Sequence, residues 1–189
     1  MTQENILVLG IGNLLCADDG FGVRAVEALD QRWQFPANVS VLDGGTQGFG
    51  LLTKVLAARR VIVFDAIDFG QAPGTLTVLE DAEVKRFWEA NKLSLHQTGF
   101  HEVLYVAELI GVFPAELVLI GVQPADIGQA GCGLSEVVQA RVAEAQEIAL
   151  ARLQRWGCPA VARDSGSAST LLPAGLGAEA FGLRPTAVL

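Results

Sequence analysis

Residues 6–22 read ILVLGIGNLLCADDGFG, and this stretch decides the fold. Ile6, Leu7, Val8 and Leu9 form a wholly apolar run of strand length, the pattern of a central parallel strand covered on both faces. Gly10 and Gly12 permit a sharp exit from that strand, and Asn13, Asp18 and Asp19 follow. After Gly20 and Gly22 the apolar spacing changes to Val23, Val26, Leu29 and Trp33, which is helical. Asp18 and Asp19 therefore fall between a strand's carboxyl end and a helix's amino end. In an open α/β sheet ligands bind there, and the helix dipole keeps a nearby carboxylate ionised.

Outward from this corner, strands and helices alternate. Val39 to Asp43 (VSVLD) predicts a second strand ending in the turn Gly44-Gly45-Thr46, and Phe49 to Leu56 a helix. Val61 to Ile67 (VIVFDAI) is the next buried strand, with Asp65 inside it. A carboxylate in so apolar a run requires either a hydrogen-bond network or a cation. Thr75 to Leu79 (TLTVL) alternates as a half-exposed antiparallel edge strand does. A weakly helical stretch from Asp81 to Asn91, a helix from Phe100 to Ile110, a strand LVLIGV from Leu117 and a long helix from Ser135 to Trp156, capped by Ser135, complete the series. The expectation is a three-layer α/β/α sandwich on a mainly parallel five-stranded sheet with one antiparallel edge strand. One domain is expected over residues 1–160. Residues 161–189, rich in Ser, Ala, Gly and Pro, are expected to form a flexible tail without chemistry.

Composition narrows the function classes. With 189 residues, 51% of them hydrophobic, the chain can bury one good core. A formal net charge of −8 lacks the electrostatic footprint of a nucleic-acid binder and disfavours anionic lipid, so no nucleic acid and no membrane are expected as partners. No apolar run approaches the ~20 residues of a membrane span, and the polar start MTQEN lacks a signal-peptide pattern. Cys16, Cys132 and Cys158 are odd in number and widely spaced, which fits reduced thiols. A cytoplasmic protein is the expectation.

Three side chains are candidates for convergence on one crevice: Asp19 after the first strand, Asp65 at the end of the third, and His96 on the loop before a later helix. Outside the positive end of that helix the imidazole is left with a ring nitrogen free to accept a proton or a metal. Two hard oxygen donors and one imidazole form a three-ligand set with open positions, suited to nickel or zinc. Acids at strand ends are common, so a hydrogen-bonded structural carboxylate is an equal reading of Asp65 on spacing alone. His101 falls inside the predicted helix and away from His96.

Four separated segments, GIGNLLCADDGFGVRAVEAL, DGGTQG, FDAID and SLHQTGF, resemble in order and spacing the hydrogenase maturation endopeptidases. The resemblance extends from about Ile6 to Trp156 and leaves the carboxyl-terminal tail uncovered. It implies an endopeptidase, of metal-dependent aspartic or metallo type, that removes the carboxyl-terminal extension of a nickel-iron hydrogenase large-subunit precursor once nickel is inserted. The family's metal-binding acids fall on Asp19 and Asp65 and its histidine on His96, which the resemblance casts as both metal-binding and catalytic. The first acid is often Glu in that family and is Asp here, shorter by one methylene, so Asp18 could share the role, although the alignment with Gly20 and Gly22 favours Asp19. Gly44, Gly45 and Thr46 match the family's glycine turn, which is expected to line the crevice and admit substrate backbone. The nickel arrives with the substrate; zinc or cadmium are substitutes for it.

Three competing readings follow from the same residues. GIGNLL resembles the start of a dinucleotide fingerprint, but Leu15 stands where the third glycine belongs. Cys16 with His96 could be a thiol nucleophile and base, although two acids nearby are a poor setting for a thiolate. A nickel-sensing chaperone that binds the precursor without cutting it would need the same three ligands.

Overall fold

The computed structural model describes residues 4–90, 98–130, 133–163, 171–173 and 175–178. The opening stretch forms β1 (Ile6–Ile11), every residue of which is buried, then a 3-10 turn (Ala17–Gly20) and α1 (Phe21–Arg32). A two-residue strand β2 (Trp33–Gln34) leads to β3 (Val39–Gly45), a second 3-10 turn (Gly48–Leu51) and α2 (Leu52–Leu56). Then come β4 (Arg60–Ala66), β5 (Leu76–Glu80), α3 (Ala82–Ala90), α4 (Thr98–Leu109) and β6 (Glu116–Val122). Two helices, α5 (Glu136–Gln139) and α6 (Val142–Arg155), and a short β7 (Val161–Ala162) follow.

The sheet has five strands in the order β3-β1-β4-β6-β5. All neighbours are parallel except β5, which runs antiparallel to β6 at the edge, as its alternating threonines predict. Strand alternation sorts the core into two layers. Ile6, Val8, Ile62, Phe64, Val118 and Ile120 face α1 and α6. Leu7, Leu9, Val61, Val63, Leu117 and Leu119 face α2, α3 and α4. A run that looks continuously apolar in sequence is therefore two interleaved faces, each with its own helical cover.

Two features depart from the sequence reading. The helix expected from Ser135 to Trp156 is broken at Ala140-Arg141, where Arg141 N–H bonds the Val138 carbonyl three residues back. Val138, Val142, Ala145, Ala149 and Leu153 are all buried, so the apolar spacing continues across the break and gives no sign of it. Ser135 does not cap α5 with its side chain; its hydroxyl is used elsewhere. The second feature is that β7 pairs antiparallel with β2, placing residues just past the expected domain limit against the end of α1.

Candidate active site

The polar groups gather at the carboxyl ends of β1, β3 and β4, on a backbone that leaves little room. Gly12 has φ +129°, and a Cβ there would stand 1.7 Å from the Asp19 carbonyl oxygen. At Gly22 a Cβ would stand 2.2 Å from the Phe64 carbonyl oxygen and 2.3 Å from that of Ile11. These glycines let the first turn of α1 press onto the ends of β1 and β4. Ala17 holds φ +39°, an uncommon conformation for a residue with a side chain, at the start of the acidic turn.

Asp18 and Asp19 then part company. Asp18 is fully buried and accepts hydrogen bonds from Ala125 N–H (2.8 Å), Asp126 N–H (3.0 Å), Ser135 N–H (2.7 Å) and the Ser135 hydroxyl (2.9 Å). Its valences are used in tying the loop after β6 and the start of α5 to the acidic turn. These bonds give Asp18 a structural role. Asp19, 5% exposed, accepts the Asn13 N–H at 3.0 Å and lies near enough to Asp65 for its charge to be felt there.

Asp65 sits in the last turn of pleat of β4, buried, beside Gly121 of β6. Burial pushes its carboxyl well above the ordinary value, the Asp19 charge pushes it further, and the Ala66 N–H pulls weakly the other way. Two carboxylates thus share a buried corner, and desolvation and the like charge both act on Asp65. A cation between them would relieve both burdens at once. The donor set fits a hard or borderline divalent ion. His96, the third expected ligand, lies outside the described residues, and among those described no group of three or more metal-binding side chains forms.

Asp43 lies near the end of β3, opposite Gly10 of β1, followed by buried Gly44, half-buried Gly45 and exposed Thr46. Burial raises Asp43, the Gly45 N–H lowers it, and the charge of Glu27 raises it. Sequence reading placed Asp43 at a strand end without a role. It also passed over Gln123. That buried side chain accepts N–H groups of Phe69 (2.8 Å) and Gln71 (3.1 Å) and donates to Asp68 (3.1 Å), fixing the loop that leaves β4 beyond Asp65. Its only signal is a polar residue ending LVLIGVQP.

Of the other candidates, Cys16 belongs to the loop that carries Asp19, its carbonyl accepting the Asp19 N–H at 2.9 Å, and His101 lies elsewhere. Cys16 is half-buried, its sulfur accepting the Asn13 side-chain amide at 3.3 Å. His101 meets the Trp88 ring edge-on, centroids 6.2 Å apart, in a groove of about 360 Å³ between α3 and α4 that also includes Lys85, Tyr105 and Phe113. Neither Asp19 nor Asp65 lines that groove.

Residues 23–152 match the family model described as hydrogenase maturation protease. The chain belongs to that family. A hydrogenase expression/formation protein HoxM from Azotobacter vinelandii is 53% identical over 176 residues, 93% of this chain and 84% of that protein. The hydrogenase 2 maturation protease of Escherichia coli strain K12 is 42% identical over 161 residues, 85% of this chain and 97% of that protein. The solved hydrogenase maturating endopeptidase HybD from E. coli superposes with a TM-score of 0.79 at 41% identity, covering 86% of this chain and 99% of its own. The α/β sandwich with an antiparallel edge strand is thus the fold of this protease family. No described helix is long and apolar enough to cross a membrane.

Proposed function

We propose that this chain is the endopeptidase that removes the carboxyl-terminal extension of a nickel-iron hydrogenase large-subunit precursor after nickel insertion, with the precursor's nickel as its recognition element. Asp19, Asp65 and His96 engage the metal, and Gly44, Gly45 and Thr46 line the path of the substrate backbone. The observation that carries this reading is the pairing of two buried carboxylates, Asp19 in the turn after β1 and Asp65 near the end of β4, in a chain that belongs to the hydrogenase maturation proteases. Two hard oxygen donors at the carboxyl ends of adjacent parallel strands suit a divalent cation.

The ion, when bound, supplies Lewis acidity at a carbonyl or a bound water beside the scissile bond. The remaining work belongs to the chain. Asn13 N–H orients Asp19. Burial and the Asp19 charge raise the Asp65 carboxyl, and a cation in the corner would favour its ionised form. A precursor without nickel brings no positive charge to the two acids, so assembly state is read before the chain is cut. Zinc or cadmium in place of nickel satisfies the same donors. The protein and its precursor meet in the cytoplasm.

The test is cleavage of a large-subunit precursor bearing its extension, loaded with nickel or nickel-free, by wild type, His96→Ala and Asp65→Asn. Release of the short fragment by wild type from the nickel-loaded form alone, and by neither variant, is expected. Cleavage of nickel-free precursor at an undiminished rate would overturn the nickel reading. Stable complex formation without any product would point to a chaperone instead of a peptidase.

A further inference from the structure

Asp65 of β4 lies in register with Gly121 of β6. Val63 and Leu119, two residues earlier on the same strands, both face α2, α3 and α4, so Asp65 and Gly121 turn to that face as well. Gly121 has no side chain to cover its neighbour, yet Asp65 is only 7% exposed. The ring of Phe69 stands in the vacant position. A Cβ on Gly121 would come within 2.6 and 2.7 Å of two ring carbons of Phe69, Cε2 and Cζ. Partners on adjacent strands are about 4.8 Å apart, so the ring lies beside the Asp65 side chain, where residue 121 leaves room for it. A side chain at 121 would drive it out.

Phe69 is held from two directions. Its backbone is fixed by buried Gln123, whose Oε1 accepts the Phe69 N–H (2.8 Å) and the Gln71 N–H (3.1 Å). The Gln123 main chain serves the same loop, its N–H bonding the Thr75 carbonyl and its carbonyl accepting the Gly74 N–H, both at 2.8 Å. Between Asp65 and Phe69 the chain keeps to β6, the Ile67 N–H bonding the Val122 carbonyl at 2.9 Å. The ring itself packs on Phe87 of α3, with centroids 4.9 Å apart and planes inclined at 48°. An apolar wall fixed in this way removes the space into which a neighbouring carboxylate would rotate and keeps water from one side of it.

We propose that Phe69, seated on Gly121 and anchored by Gln123, is a positioning residue that holds the Asp65 carboxylate in the orientation that receives the cation. This rests on the reading of Asp19 and Asp65 as a cation site of the peptidase. Phe69→Ala opens the space beside Asp65, Phe69→Leu refills most of it, and Gly121→Ala pushes the ring out. The double variant Gly121→Ala/Phe69→Ala puts a methyl group where the ring was. Each is measured for the affinity of the free protein for cadmium ion by calorimetry, for kcat/KM on the nickel-loaded precursor, and for melting temperature. For Phe69→Ala and Gly121→Ala the cadmium Kd should rise and kcat/KM fall, each by about tenfold or more, as expected when the support of a metal ligand is lost. Phe69→Leu should recover most of both. The double variant should be no worse than either single change, since both act through the same ring. Should one single variant fail to fold, the other decides. A cadmium Kd left unmoved, whatever happens to the melting temperature, makes Phe69 ordinary core packing and overturns the proposal while the peptidase reading stands. Wild type that takes up no cadmium, or cuts no precursor, refutes the underlying reading and the positioning role with it.

Discussion

Asp18 and Asp19 are neighbours in the chain and belong to two different regions of the molecule. Around Asp18, four hydrogen bonds from the loop after β6 and from Ser135 satisfy a buried carboxylate with the protein's own donors. Around Asp19, the next carboxylate is Asp65, and its burial is aggravated by the like charge. The first carboxylate is bound into the fold by the protein's own donors; the second lies within reach of another acid. A buried acid is therefore informative about function only through what surrounds it.

The largest effect expected from breaking this contrast is at Asp65. Asp65→Asn should lower precursor cleavage by about 10²–10⁴-fold, the range for a positioned acid or base. It should nevertheless raise the melting temperature at neutral pH. The sign follows from linkage: folding raises Asp65 above its ordinary value of 3.8, so the folded state binds the proton more tightly and stability falls as pH rises through that interval. The amide removes the penalty, and its advantage should shrink as pH is lowered toward the ordinary carboxylate range. Melting curves of both proteins from acid to neutral pH check this; a variant less stable at neutral pH would show that Asp65 is a structural carboxylate.

Asp18→Ala is the opposite experiment. Four donors lose their acceptor while the cleft pair is untouched, and a loss of about 3 kcal/mol in urea denaturation is expected. Residual enzyme that remains folded should still cut the nickel-loaded precursor. If Asp18→Ala were stable and inactive, the assignment of the two acids would have to be exchanged.

The smallest effect belongs to Cys16. Its sulfur accepts a single amide hydrogen bond within the loop, so Cys16→Ala should change kcat/KM by less than about twofold. A complete loss of cleavage would instead restore the thiol nucleophile that the sequence left open.

Much of this was legible in the residues. The apolar run before Gly10 gave a central strand, the threonine alternation at 75–79 gave the antiparallel edge, and both are as expected. The glycines at 10, 12, 20 and 22 marked the corner where β1 meets α1. Less legible was the break between α5 and α6, because buried side chains keep helical spacing through it. Gln123 was invisible for a different reason: a glutamine at a strand end has no meaning until the loop it holds is in place.

The sequence by itself determined the order of elements, the strand-end placement of Asp19 and Asp65, and through its four motifs the family, because these depend on local periodicity and spacing. Only the tertiary structure showed what Asp18 binds, since its donors lie more than a hundred residues away. It alone brought Leu176 and Ala178 to Arg24 and Glu27 across more than a hundred and fifty positions. Hydrogen-bond satisfaction and burial are properties of the assembled fold, and no pattern along the chain encodes which distant donors a buried carboxylate will meet.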